Sequence, residues 1–411
     1  MLALAACSKD ELTTVEQSGE AASPVAEYDY ATLILMYTPG EELFDGVIHP
    51  DAGLYDNYFD VDEAAKEHVG YIEMLRKNGI EVRTVKDVLM SLEKEELQAL
   101  ASKYLVYDAK DTHLDSAEVE SYRQSTLACM SKADLIRILF LHPKVILHET
   151  GMNTGVSAEY VHEPLMNMYF MRDQSINTPC GPILCRMNSS QRFPEVDIVE
   201  VCYRKMGIEP VYRISGEDSY LEGGDYIPFG TFAFLGQGLR TSQPAIDEML
   251  EHDVIGHDTL VVVRDRWKNQ YQMHLDTYFN IIDKDLATLC FNRFDAKDTS
   301  DVNFLTIDMY ARAEGEKEYH AVSEYAGYSF KQFLADRGID VIRIDKKDAD
   351  HYANNFLAIG GRHIMSVAGQ SKELEAEYAK YNVNVEWVPL DNLIGGYGAA
   401  HCMTQVIYRK K

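Results

Sequence analysis

A chain of 411 residues, 46% of them hydrophobic, holds enough apolar material for one large domain or for two to three of ordinary size. Lys and Arg number 39 against 66 Asp and Glu, and the formal net charge of -27 argues against a nucleic-acid backbone as partner. No segment is apolar over a length that would cross a membrane as a helix, and the acidity suits a cationic small-molecule substrate.

The first seven residues, MLALAAC, resemble the tail of a bacterial lipoprotein signal, in which a cysteine, here Cys7, is lipidated after cleavage. Ser8 to Ala26 is rich in Ser, Glu, Ala and Thr, the composition of a flexible tether. Residues 1–27 are therefore expected to be a signal remnant and tether, and 28–411 a single domain. The implied location is the bacterial cell envelope, with the cytoplasm as the alternative. Six further cysteines form no CxxC pair, so neither a zinc ribbon nor a dense disulfide framework is indicated, although an exported chain is compatible with one or two disulfides.

Along the domain one pattern recurs: LRKNGIEVRTV from Leu75, RKMGIEPVYRI from Arg204, LADRGIDVIRI from Leu334 and, more loosely, AKYNVNVEWVPL from Ala379. Each reads as the end of an amphipathic helix, a Gly or Asn suited to a left-handed cap, then a strand rich in Val and Ile. Repetition of this unit predicts similar α/β modules arranged around an axis. Between the first two copies, about 87–167, apolar residues recur at three and four positions and Ser131 offers an N-cap, which predicts a helical insertion.

Polar groups gather in four places. YFMRDQ ends near Asp173, YLEGGDYIPF carries Glu222 and Asp225, QYQMHLDTYFNII carries His274 and Asp276, and IGGYGAAHCMT carries Cys402. Read as an extended strand, HLD places His274 and Asp276 on one face. The two glycines of EGGD suit a sharp turn that brings its carboxylates together.

FMRD, LEGGD, LRTS, HLDT and HCMT, in this order and over about residues 30 to 410, resemble the arginine deiminases, within the guanidine-modifying superfamily. CRM at Cys185 to Met187 and NNFLAIGGRHIM at Asn354 to Met365 add to the resemblance. It implies a five-fold pseudosymmetric α/β propeller, the pentein fold, with a helical insertion. It also implies hydrolysis of the guanidinium of free L-arginine to citrulline and ammonia, without metal or cofactor. Cys402 is the implied nucleophile, His274 the general acid and base, Glu222 its partner, and Asp173 and Asp276 the carboxylates that hold the guanidinium. Arg186 and Arg240 match the positions that grip the substrate carboxylate, and Phe170, Asp225, Asn355 and Tyr397 complete the expected substrate contacts. Tyr397 stands where many relatives carry Arg, and Met171 where they carry Thr.

The chemistry suits these residue types. A guanidinium carbon is a poor electrophile because its charge is delocalised, so a strong nucleophile such as a thiolate is needed. Planar carboxylates orient the cation through paired hydrogen bonds. Those same carboxylates disfavour a neighbouring thiolate, which predicts a thiol that is neutral in the empty site and ionises when the cation enters.

Three other readings stay open at this level. One keeps the fold but acts on peptidyl or methylated arginine or transfers the amidino group. Another is a non-catalytic arginine-binding envelope lipoprotein. A metallohydrolase built on His274, Asp276, Asp225 and Cys402 is disfavoured by the lack of a usual ligand set. Assembly into a homo-oligomer is neither required nor excluded.

Overall fold

The computed structural model describes residues 25–152, 154–313 and 315–411, and the lipid-site reading of Cys7 lies outside them. One unit recurs: two antiparallel strands, a helix, and a third strand parallel to the second. It runs through Ser175–Thr178, Gly181–Leu184, the helix Phe193–Lys205 and Tyr212–Arg213. The next comprises Tyr226–Phe229, Phe232–Gln237, the helix Gln243–Glu251 and Thr259–Arg264. A third uses Phe279–Asp283, Leu286–Cys290, the helix Phe330–Asp336 and Asp340–Ile344. The fourth uses Leu357–Gly360, His363–Val367, the helix Lys372–Lys380 and Asn384–Val388. The fifth joins the two ends of the chain: Gln405–Lys410 pairs with Tyr30–Met36, followed by the helix Val61–Lys77 and Glu81–Thr84.

Side chains link each unit to the next. Asn177 Nδ2 donates to Val406 O at 2.7 Å, Phe234 packs edge-on against Phe279, Asn280 Nδ2 donates to Phe356 O at 2.8 Å, and Arg409 Nη1 donates to Ala358 O at 2.9 Å. Between the Ser175 and Tyr226 units, Leu221 N donates to Arg186 O at 2.9 Å. The expected α/β propeller is thus the observed fold.

The recurring junctions behave as their sequences predict. Gly79, Gly207, Gly338 and Asn382 have φ of 75°, 78°, 68° and 55°, the left-handed conformation that ends a helix and turns the chain into the parallel strand. The remaining copy escaped recognition because its left-handed residue is Asp253, φ 52°, and five further residues precede its strand.

The insertion contains the helices Lys94–Ala101, Ser116–Cys129 and Lys132–Leu141, the last with Ser131 capping its N-terminus through Asp134 N. It also contains a sheet the sequence reading missed, Val106–Asp108, Pro143–Glu149 and Val156–His162. These strands are short or half-exposed, so no face carries the clean alternation that reveals a strand. Leu97, Leu135, Leu139 and Phe140 share one apolar core with Leu33, Leu35, Tyr169 and Phe170, so the insertion supports the wall of the site described below.

Residues 25–27, expected in the tether, are built into the domain. Glu27 N donates to Pro228 O and Gly230 N to Val25 O, both at 2.8 Å, and the buried Glu27 carboxylate pairs with Arg409. Among the described residues, all six cysteines are free, and no helix is long and apolar enough to cross a membrane.

Candidate active site

Cys402 follows a loop that begins with a short 3-10 turn, Leu393–Gly396, and continues through Tyr397 in the left-handed region, φ 69°. Asn355 ties this loop down. Its Oδ1 accepts from Ala399 N at 2.9 Å and Cys402 N at 3.1 Å, while its Nδ2 donates to Cys402 Sγ at 3.1 Å. Asn355, expected as a substrate contact, gives its amide to the Cys402 thiol and its loop. The loop also fits tightly: a Cβ at Gly398 would lie 2.7 Å from the Phe170 ring and 3.1 Å from Cys402 Sγ.

His274 and Asp276 do reach the site, but not as neighbours on a strand face. His274 precedes a single helical turn, Leu275–Tyr278, held by Asp225 Oδ1, which accepts from Leu275 N at 2.9 Å, and by Thr277 Oγ1, which donates to His274 O at 2.6 Å. This turn sends the two side chains to different partners. His274 Nε2 donates to Glu222 Oε2 at 2.8 Å and its Nδ1 lies 3.7 Å from Asp173 Oδ1, whereas Asp276 Oδ2 lies 3.5 Å from Cys402 Sγ.

The glycines of EGGD serve close approach. Gly223 and Gly224 are not in the left-handed region, but a Cβ on Gly223 would sit 1.9 Å from Arg172 O, and one on Gly224 2.7 Å from His274 Nδ1. Glu222 and Asp225 consequently part company. Asp225, expected as a substrate contact, has both oxygens engaged within the fold: Oδ1 accepts from Leu275 N and Oδ2 accepts from Thr241 Oγ1 at 2.6 Å, and the residue is not among those lining the cavity.

A cavity of about 20 Å³ is lined by Phe170, Asp173, Arg240, His274, Tyr397 and Cys402, with Arg192, Gln270 and Met273 among the rest; Glu222 and Asp276 stand outside this lining and meet it through His274 and Cys402. Asp173 and Asp276 present matching chemistry. Asp173 Oδ2 takes Arg192 Nη1 at 2.9 Å and Asp276 Oδ2 takes His401 Nδ1 at 2.7 Å, while the Oδ1 of each is buried without a hydrogen-bond partner. Two orphaned carboxylate oxygens are what a planar N–H-rich cation would satisfy.

The two expected carboxylate grips differ. Arg240 lines the cavity, with Nη1 3.6 Å from Glu222 Oε1. Arg186 lies outside that lining, where its Nη1 donates to Glu217 O at 2.8 Å and its guanidinium lies over Phe193 and Tyr220. Arg192 and His401 had no role in the sequence reading. His401 stands inside the quoted HCMT motif, which offered a signal, whereas Arg192 lies in an unremarkable NSSQRF stretch and is found only through contact.

Burial pushes the Cys402 thiol well above the usual cysteine range, and the charges of Asp276 and Asp173 add to the effect. Burial opposes protonation of His274, but Asp173 and Glu222 outweigh it and raise the imidazole to about 9. Glu222, despite burial, is held well below the usual carboxylate range by Arg240 and His274. The empty site therefore pairs a neutral thiol with a charged imidazole. Asp173, Glu222 and His274 also offer ligand atoms within 4.8 Å of one another. Arg192 on Asp173 and Arg240 beside Glu222 already supply cations there, which opposes a divalent ion.

A five-unit α/β fold carrying a cysteine, a charged histidine and unsatisfied carboxylates defines a hydrolase of guanidinium C–N bonds. The sequence model for arginine deiminase matches residues 52–409, and the chain belongs to the arginine deiminase family. It is 25% identical to the arginine deiminase of Halobacterium salinarum over 477 aligned residues, covering 93% of this chain and 96% of that protein. It is 23% identical to the arginine deiminase of Mycoplasma capricolum, covering 92% and 94%. Among solved structures, the product-bound N-terminal domain of the cyanobacterial arginine dihydrolase ArgZ superposes with a TM-score of 0.56 at 14% identity, covering 91% of this chain and 97% of that one. A dimethylarginine dimethylaminohydrolase (DDAH) of Pseudomonas aeruginosa, complexed with citrulline, gives 0.53 at 14%, covering 92% and 99%. At such identity these two likenesses bear on the fold.

Proposed function

We propose that the protein hydrolyses free L-arginine to L-citrulline and ammonia through a covalent adduct on Cys402. The observation that carries this reading is the convergence on Cys402 and His274 of two carboxylates, each with a buried, unpartnered Oδ1: Asp173 Oδ1 lies 3.7 Å from His274 Nδ1, and Asp276 reaches Cys402 Sγ through Oδ2 at 3.5 Å. Entry of the guanidinium satisfies both oxygens and places positive charge against the thiol, which lowers its pKa and releases its proton to solvent. Cys402 Sγ then bonds to the guanidinium carbon. Since Glu222 holds Nε2, the Nδ1–H of His274 is the proton left for the departing nitrogen, and C–N cleavage of the tetrahedral adduct releases ammonia and leaves an S-alkylthiouronium on Cys402. Neutral His274 next takes a proton from water, the hydroxyl adds to the same carbon, and C–S cleavage, with the hydroxyl proton passing to the departing sulfur, returns the Cys402 thiol, the charged His274 and the urea group of citrulline.

Arg240 at the cavity supports a substrate with a free carboxylate. Incubation with L-arginine should release citrulline and ammonia in equal amounts, and Cys402→Ala should release neither. Product from arginine blocked at both ends, but none from free arginine, would overturn the free-amino-acid reading. Envelope anchoring through Cys7, supported by MLALAAC, is part of the same proposal. Metabolic labelling with a fatty acid that is unaffected by Cys7→Ala would remove that part.

A further inference from the structure

His401, the residue before the nucleophile, is fully buried and joins two buried carboxylates. Its Nδ1 lies 2.7 Å from Asp276 Oδ2, the oxygen that faces Cys402 Sγ. Its Nε2 lies 3.4 Å from Glu27 Oε1 without forming an aligned hydrogen bond. Behind Glu27 stand two cations: Arg409, which pairs with Oε1, and Arg172, whose Nη1 lies 3.9 Å from Oε2. Arg172 also returns to the nucleophile's segment, because its N donates to Cys402 O at 2.9 Å and its Nε to His401 O at 3.4 Å. The catalytic scheme above uses none of His401, Glu27, Arg172 or Arg409.

We propose that His401 is a positioning residue which, backed by Glu27, fixes the Asp276 carboxylate so that Oδ1 is presented to the guanidinium. An ionised carboxylate only accepts, so Nδ1–H must donate to Asp276 Oδ2. That bond uses one oxygen and leaves the other for substrate, just as Arg192 uses Oδ2 of Asp173 and leaves its Oδ1 free. The two substrate-facing carboxylates are thus oriented by different means, a guanidinium for one and an imidazole for the other. A hydrogen bond to the charged form also keeps a buried carboxylate ionised, and Asp276, despite burial, is held below its usual range chiefly by His401. Glu27 presents its charge to the ring from the opposite side, 3.4 Å from Nε2, and is itself held near 2 by Arg409 and Arg172 against the effect of burial. It ties the start of the domain to the site.

This inference rests on the proposed role of Cys402, and its test does not require turnover of arginine. Alkylation of the Cys402 peptide would be followed by mass spectrometry with chloroacetamidine, a cation, and with iodoacetamide, which is neutral. The ratio of the two rates reads whether the site presents its carboxylates to a cation, with Asp276, Asp173 and His274 as the titratable groups facing the thiol. Asn places an amide N–H where Nδ1 stands, and Gln places one where Nε2 stands. His401→Asn is expected to keep the ratio within about twofold of native, and His401→Gln to lower it about tenfold, the equivalent of one pK unit. Equal ratios in the two variants, whether both native-like or both reduced, would overturn the positioning role. Should His401→Gln fail to fold, Glu27→Gln replaces it, where a several-fold drop supports the relay and an unchanged ratio overturns it. Absence of labelling at Cys402 in the native protein would instead refute the proposed nucleophile.

Discussion

His274 owes its charge to its surroundings, since Asp173 and Glu222 more than offset the effect of burial. A folded-state value of about 9, above the ordinary 6.5, means that the stabilisation from this pairing is complete below pH 6.5 and fades as the pH rises through 9. The same titration removes the proton meant for the leaving nitrogen. We therefore expect kcat to fall above pH 9, and His274→Ala to lose about 10² to 10⁴ in kcat with smaller changes in KM, measured by steady-state citrulline release. The arginines separate by the same reasoning. Arg240→Ala should reduce kcat/KM for arginine by about 2 to 4 kcal/mol, because it removes the cation at the cavity and the neighbour of Glu222. Arg186→Ala should cost less than a third of that, since its guanidinium is engaged with Glu217 O and with aromatic rings outside the cavity lining. Equal losses would return Arg186 to the substrate.

The loop before Cys402 and the turn before Asp225 decide what the site can admit. A cavity of about 20 Å³ has room for about one water molecule, less than a guanidinium needs, so its walls must part for substrate to enter, and the glycines at 395, 396 and 398 make the loop before Cys402 the candidate for that movement. Tyr397, which lines the cavity, packs edge-on against Tyr271, with ring centroids 5.3 Å apart, and Tyr271 Oη donates to Asp56 Oδ1 at 2.8 Å. Tyr397→Ala is expected to lower the affinity barrier to entry, seen as faster alkylation of Cys402 by neutral reagents; an unchanged rate would mean that the gate lies elsewhere. At Gly223 the neighbour is backbone on two sides, Arg172 O at 1.9 Å and Ser175 O at 2.7 Å from an added Cβ. Gly223→Ala should therefore destabilise the protein by about 3 kcal/mol or more, read as a lower midpoint in denaturant, because neither carbonyl can give way as a flexible side chain would.

At the scale of the whole molecule, the fifth repeat is made from both chain ends, and Glu27 locks it by pairing with Arg409 in the interior. Compared with a truncation that begins at Val25, one that begins at Tyr28 strands two buried guanidiniums, Arg172 and Arg409, and should cost about 3 to 5 kcal/mol, read as a lower melting temperature. Coincident melting curves for the two truncations would refute this lock. Four of the five helix-to-strand junctions were legible because Gly or Asn marks a left-handed cap in any context, and the gathering of Cys402, His274, Glu222, Asp173 and Asp276 was legible because their motifs occur in one order along the chain. The Asp253 junction and the sheet at 106–162 were not, since an acidic residue seldom signals that conformation and half-exposed strands lack a clean alternation. By itself the sequence determined the repeated unit, the helical character of the insertion and the set of reactive side chains, all of which depend on local preference and residue chemistry. Only the tertiary structure decided that Asp225 supports a turn, that Asn355 holds the thiol, that Arg186 stands outside the cavity and that Arg192, His401 and Glu27 stand behind the carboxylates. Those roles depend on which oxygen of a buried carboxylate is already satisfied, and its partners come from segments hundreds of residues apart.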